Sequence, residues 1–261
     1  MFFDSHAHLD DSRFDADRTE IFAGLPAREV AYVMNVGCDL PSSERSVALT
    51  ECYPFVYAAV GSHPDDAGSV NGKLLAHYRA LAKHPKVRAI GEIGLDYHYE
   101  DVPRAQQINA FEQQLDLAET LKLPVIVHHR EAHEDIVACV RRHPNLRGVF
   151  HCFSASTELA MWLVERGWYI GFTGVVTFKN ARRAIETVQA LPVERILVET
   201  DCPYMAPEPH RGRRNDSRLV PLVAAKIAEL KRLSPAQAGQ ITTENAKRLF
   251  GLAEETEHET L

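Results

Sequence analysis

Eight short runs of apolar, largely β-branched residues recur along this chain, each separated from the next by a longer stretch with room for a helix. They are Phe2 to His6, Ala31 to Val36, Phe55 to Gly61, Val87 to Glu92, Val125 to His128, Gly148 to His151, Tyr169 to Phe172 and Ile196 to Glu199. Between the fourth and fifth runs, Ile108, Phe111, Leu115 and Ala118 recur at helical spacing and mark a helix over Arg104 to Leu121. Between the fifth and sixth, Ile136 and Val140 do the same over Ala132 to Arg142. Leu123-Pro124, His143-Pro144, Gly167 and Leu191-Pro192 supply the breaks that lead into the next strand. Eight strand-helix units in a chain of 261 residues match the size of a parallel (β/α)8 barrel of the TIM type. The expected organisation is an α/β chain forming one barrel domain over 1–253, with an acidic tail from Glu254 to Leu261. An open, doubly wound sheet is the alternative, and it is weakened because the first strand-to-helix turn lacks the G-x-G-x-x-G pattern.

Composition narrows the class. With 45% hydrophobic and 25% charged residues, the chain can bury a substantial core and remain an ordinary globular protein. No apolar run approaches the roughly 20 residues of a membrane span, and Asp4 and His6 come before any signal-peptide core could form, so a cytoplasmic protein without a membrane partner is expected. Cys38, Cys52, Cys139, Cys152 and Cys202 are scattered, without C-x-x-C, and are expected to be reduced thiols. A formal net charge of -7 argues against a broad grip on duplex nucleic acid, which needs a basic face, but not against a small anion held by metal ions.

The polar residues at the strand ends carry the chemistry. The first run ends in His6-Ala7-His8, where i and i+2 side chains share a face and two imidazoles stand side by side. The fourth ends in Glu92, the fifth in His128-His129, the sixth in His151, and the eighth in Glu199-Thr200-Asp201. Strands buried on both faces have no reason to finish repeatedly in histidine or carboxylate unless those side chains converge on something that offsets their desolvation. A centre of divalent cations of the zinc or manganese kind does so. His128 and His129 point opposite ways along a strand, so only one is expected to enter the mouth.

The runs Asp4-Ser5-His6-Ala7-His8-Leu9, Gly91-Glu92-Ile93-Gly94-Leu95-Asp96-Tyr97 and Val198-Glu199-Thr200-Asp201-Cys202-Pro203 resemble, in order, the signature blocks of the TatD family of metal-dependent hydrolases and deoxyribonucleases, barrels of the amidohydrolase superfamily. The resemblance implies a binuclear site with two divalent cations. His6, His8 and Asp201 would hold one, His128 and His151 the other, and Glu92 would bridge them. It matches His128 to the ligand position and leaves His129 where the family has a small residue. Glu199, on the face of Asp201, and Asp4, beneath His6, read as hydrogen-bond partners standing behind the ligands.

Further residues at the same rim suggest substrate contacts. His63 in Gly61-Ser62-His63-Pro64 looks like the family's histidine that meets the scissile group, although Asp65 stands where many relatives carry a second histidine. Arg130 follows the fifth strand and could face substrate. The loop His210-Arg211-Gly212-Arg213-Arg214-Asn215 gathers three arginines, a residue suited to bidentate phosphate recognition; a solvated basic loop is the plain alternative. His210, Arg211, Arg214 and Asn215 are its candidate substrate contacts, and Ser217 replaces a proline usual in the family. Two divalent ions lower the pKa of a water and neutralise charge developing on an ester, with Asp201, Glu92 and His63 as the expected catalytic residues and Asp201 accepting the water's proton. The expected activity is hydrolysis of phosphodiester bonds in DNA, at single strands or ends, by a monomer or weak oligomer. A small-molecule amidohydrolase, esterase or lactonase is the rival within hydrolases, and a metal-containing barrel that binds without turnover is the rival outside them.

Overall fold

The structure, a computed structural model, describes residues 1–99 and 101–252. The acidic tail expected from Glu254 onward lies outside the described residues. Eight strands form one parallel sheet in chain order: β1 (Phe2–Ala7), β2 (Val30–Val36), β3 (Val56–Val60), β4 (Val87–Asp96), β5 (Val125–Arg130), β6 (Gly148–Phe150), β7 (Tyr169–Phe172) and β8 (Ile196–Val198). An Ala7–Cys202 bridge just beyond β8 brings the last strand back to the first, and the sheet is a nearly closed (β/α)8 barrel. The open-sheet alternative is thereby excluded.

Helices α1 (Arg18–Gly24), α2 (Leu40–Cys52), α3 (Gly72–Leu81), α4 (Arg104–Leu121), α5 (His133–Arg142), α6 (Thr157–Glu165), α7 (Arg182–Ala190), α8 (Val220–Lys231) and α9 (Pro235–Leu249) accompany the strands. Two begin in reciprocal capping boxes: Asp39 with Ser42 opens α2, and Ser234 with Gln237 opens α9. Among the described residues no helix is long and apolar enough to cross a membrane.

Two apolar clusters hold the barrel. The larger joins strands to helices, with Phe14, Phe22, Tyr78, Phe111, Phe150 and Trp168 fully or almost fully buried. The smaller takes a side chain from every strand, Phe3, Met34, Ala59, Ala89, Ile126, Val149, Tyr169 and Leu197 among them, and adds Ala246, Leu249 and Phe250 from α9 and just after it. A cluster touching all eight strands fills the lumen, and α9 closes it at one end. The polar strand ends are left to the other.

β4 runs four residues further than the sequence suggested, through Asp96, and β5 two further, through Arg130. Their pairing continues as Gly94 beside His128 and Asp96 beside Arg130. Gly94 has φ 150°, and a Cβ there would lie 2.0 Å from the carbonyl oxygen of His128, so glycine is what lets the two strands stay in contact past Glu92.

Candidate metal centre

Backbone hydrogen bonds between strand ends place the donors before any side chain does. The Asp201 amide donates to the His6 carbonyl at 2.9 Å and His8 to Cys202 at 2.9 Å. Glu92 donates to Gly37 at 2.7 Å, His63 to Cys38 at 2.8 Å and His151 to Val127 at 3.1 Å. Asp201 itself sits at φ 53°, a left-handed conformation that aspartate tolerates better than most residues. The donors reach the rim of a cavity of about 810 Å³ lined by His8, Cys38, His63, Glu92, His128, His151 and Asp201 among others.

Six of the expected ligands converge in two sets around one carboxylate. Nε2 of His6 lies 3.1 Å from Nε2 of His8, 3.4 Å from Glu92 Oε2 and 3.8 Å from Asp201 Oδ1. Nε2 of His8 is 3.7 Å from Glu92 Oε2 and 3.4 Å from Asp201 Oδ1. The other oxygen of Glu92 faces the second set, with Oε1 at 2.9 Å from His128 Nδ1 and 2.7 Å from His151 Nε2, which are 3.3 Å apart. His63 stands beside this set, its Nε2 3.8 Å from Glu92 Oε1.

This donor set fits divalent cations. Four donors around a tetrahedral ion with bonds of roughly 2.0–2.2 Å are separated by roughly 3.3–3.6 Å, close to the spacing of the first set. The Nδ1 hydrogen of His8 has an acceptor in the Val36 carbonyl at 2.8 Å, which turns the Nε2 lone pair toward the other donors. Buried Nδ1 atoms of His6 and His151 have no hydrogen-bond partner among the described residues, and the two rings stack at 4.0 Å. Buried imidazoles and carboxylates packed this closely are the ligand chemistry of zinc and manganese, and the second set has fewer protein donors than the first.

Electrostatics favour anionic carboxylates here. Burial pushes Glu92 up, but His151 and His6 outweigh it and hold its carboxyl well below the usual range. Burial likewise opposes Asp201, which His8 and His6 hold down. Behind the donors the balance reverses: burial lifts Asp4 to about 6, and burial together with the carboxylates of Asp201, Asp4 and Glu92 leaves Glu199 well above its ordinary value although the Cys152 amide pulls it down. Asp4 accepts hydrogen bonds from the amide and hydroxyl of Thr200 at 2.8 and 2.6 Å. Glu199 accepts from the Cys152 amide at 2.5 Å and lies 3.8 Å from His151 Nδ1.

Other expected contacts fall differently. Asp65 braces His63: its amide donates to His63 Nδ1 at 3.2 Å, and its carboxylate lies 3.3 Å from the same nitrogen. His129 does line the cavity alongside His128, contrary to the expectation that one alone would enter; its ring turns toward His133 and Phe150 rather than Glu92. Arg130 is in the cavity wall, its guanidinium 5.2 Å from the centre of the Tyr99 ring. The arginine loop is not. His210, Arg211, Arg214 and Asn215 are absent from the described cavity lining. Arg211 lies over the Phe178 ring, Arg214 pairs with Asp17, and Asn215 is fully buried, its amide donating to the carbonyls of Thr200 at 2.8 Å and Tyr204 at 2.7 Å. As a substrate contact Asn215 is therefore corrected to a residue that fastens the loop after Asp201.

Two residues escaped the sequence reading. Asp96 Oδ2 lies 3.0 Å from His128 Nε2, and alternation along β4 from Glu92 already put it on the ligand face. Cys38 Sγ lies 3.7 Å from both His8 Nδ1 and Glu92 Oε2; nothing in a lone cysteine pointed there.

A parallel eight-stranded barrel with histidine pairs sharing a glutamate at its open end is the scaffold of a metal-dependent hydrolase. The comparisons agree. The family profile described as TatD related DNase matches residues 3–251. The chain is 43% identical over 252 residues to the uncharacterized metal-dependent hydrolase YabD of Bacillus subtilis, covering 96% of this chain and 99% of that protein. It is 37% identical over 258 residues to a 3'-5' ssDNA/RNA exonuclease TatD of Cronobacter sakazakii, covering 95% and 97%. The crystal structure of YJJV, a TatD homolog from Escherichia coli K12, superposes with a TM-score of 0.90 at 30% identity, covering 96% of this chain and 98% of that one. This chain belongs to the TatD family and is a metal-dependent hydrolase.

Proposed function

We propose that this hydrolase cuts phosphodiester bonds of DNA, taking single strands or ends in the manner of an exonuclease. The observation that carries the reading is a pair of exposed tyrosines on the cavity wall, each with a guanidinium over its face. Tyr99 is 52% exposed with Arg130 over it, and Tyr204 is 51% exposed with Arg13 4.4 Å from its ring centre and donating to its hydroxyl at 2.6 Å. Unstacked bases gain roughly 1–3 kcal/mol each on such aromatic platforms, whereas a paired duplex keeps its bases from them. The Cronobacter relative named as a single-strand exonuclease supports the same substrate class.

His6, His8, Glu92 and Asp201 would hold one cation and His128, His151 and Glu92 the other. When bound, such cations lower the pKa of a water and neutralise charge gathering on the phosphoryl oxygens. Asp201, 8% exposed at the cavity edge, accepts the proton of the attacking water. Glu92 keeps the two sets in register through its separate oxygens. His63, held by Asp65, presents Nε2 to a non-bridging oxygen of the scissile phosphate, and Arg130, at the end of β5, meets the same backbone.

The test is a parallel panel of end-labelled single-stranded and duplex oligonucleotides, carboxyl esters, amides and lactones, with metal analysis of the purified protein. Nucleotide release from single strands, abolished by Asp201→Ala in a folded protein, is the expected result. Full activity in that variant overturns the mechanism; turnover confined to esters, amides or lactones overturns the substrate.

A further inference from the structure

A second group of donors gathers on the outside of the barrel, where α4 meets the end of α5, and none of its members lines the cavity. Glu112, Asp116 and Glu119 stand at i, i+4 and i+7 of α4 and so share one face. His143, which follows the last residue of α5, reaches that face. Its Nε2 lies 3.0 Å from Glu112 Oε2, while Glu112 Oε1 accepts from Arg142 Nε at 3.0 Å. Across the ring, Nδ1 lies 3.4 Å from Glu119 Oε2 and 4.0 Å from Asp116 Oδ1. Among the described residues no hydrogen bond reaches Nδ1, although His143 is only 5% exposed. The donor atoms of Asp116, Glu119 and His143 all lie within 4.8 Å of one another.

Glu112 determines what Nδ1 can be. A carboxylate on Nε2 keeps the hydrogen on that nitrogen and leaves the lone pair on Nδ1, the arrangement by which carboxylates orient metal-binding histidines. With both its oxygens engaged by His143 and Arg142, Glu112 is an orienting group and not itself a donor. A buried lone pair aimed at two carboxylate oxygens is then acceptor facing acceptor, which burial penalises unless positive charge lies between them. The separations are long for an N–H to oxygen hydrogen bond and near those of neighbouring donors around an ion. The carboxyl end of α5 adds the negative pole of its dipole to the same point.

We propose that Asp116, Glu119 and His143 form a peripheral site for a divalent cation of the zinc or manganese kind, which ties α4 to the turn following α5. One imidazole and two carboxylates suit such an ion and leave a position for water. Asp116, its side chain 73% exposed, gives the ion a path from solvent.

The experiment uses the holoenzyme, its main centre filled, dialysed against micromolar zinc, with zinc counted by mass spectrometry. An Asp116→Asn/Glu119→Gln variant is measured beside the wild type, and His143→Gln beside both. The wild type is expected to retain one zinc per chain more than either variant and to show an anomalous peak at the zinc edge beside His143. Added zinc should raise the unfolding midpoint of the wild type more than that of the variants, with hydrolytic activity alike in all three. Because two partly or largely exposed carboxylates are changed, the double variant should fold as the parent does, and circular dichroism checks this. Equal zinc counts in the folded double variant and the wild type, or no anomalous peak at His143, overturn the site.

Discussion

His128 is gripped at both ring nitrogens, by Glu92 Oε1 at 2.9 Å and by Asp96 Oδ2 at 3.0 Å. Burial opposes its charge, but hydrogen bonds to Asp96 and then Glu92 hold its pKa at about 9. Asp96→Asn keeps the shape and removes that grip, so it should weaken binding at the second set by roughly 10–100-fold with little loss of fold, measured by competition with a chelating dye. Arg214, expected to meet substrate, is engaged within the chain. It donates to the Arg13 carbonyl, pairs with Asp17, and through that pair holds the Asp17 carboxyl below its usual range. A depressed carboxyl contributes stability above its unfolded pKa and loses it as pH falls through the folded value. Arg214→Ala should therefore move the Asp17 titration upward in carboxyl NMR. With the two side chains 31% and 36% exposed, the loss at neutral pH should stay below about 1 kcal/mol. The motif suggested phosphate contacts because arginine type is visible in a sequence, whereas Asp17 and the carbonyls that occupy Asn215 are long-range partners that no local spacing reveals.

Among the elements, β4 and β5 decide the geometry of the centre. The apolar runs located both, but stopped at the candidate ligand, Glu92 in one and His128 in the other; in a barrel the strands continue, since neighbouring backbone still satisfies their hydrogen bonds. Helix α4 was legible to its ends because its apolar spacing is long and regular, and α5 to within a residue. Gly94 is where sequence and pairing meet most tightly. Gly94→Ala would set a methyl group against the His128 carbonyl, and should cost at least about 2 kcal/mol and lower metal content together with denaturation midpoint. Urea unfolding with metal analysis of the native fraction checks this; an unchanged midpoint would mean that β4 and β5 pair differently past Glu92.

For the whole molecule, the alternation of eight runs gave the barrel, and the barrel gave the mouth to which the polar strand ends point. Cys38 stayed hidden because its place depends on how the loop after β2 folds over His8 and Glu92. Metals bound only to the native state stabilise it by mass action, about 2.7 kcal/mol at a free concentration one hundred times the dissociation constant. Chelation should therefore lower the unfolding midpoint reversibly, with manganese or zinc restoring it in a concentration-dependent way; calorimetry with and without chelator measures the shift. The seam between Ala7 and the residues after β8 also has a consequence in time. His6 and His8 leave the ribosome before all the other strands, while Asp201 and the carbonyl of Cys202 that fixes His8 emerge only after β8. A nascent chain that stops before the residues following β8 has His6, His8 and Glu92 but not Asp201, so the first set of donors is completed only after all eight strands have been made, and a product stalled before Asp201 carries none of the activity.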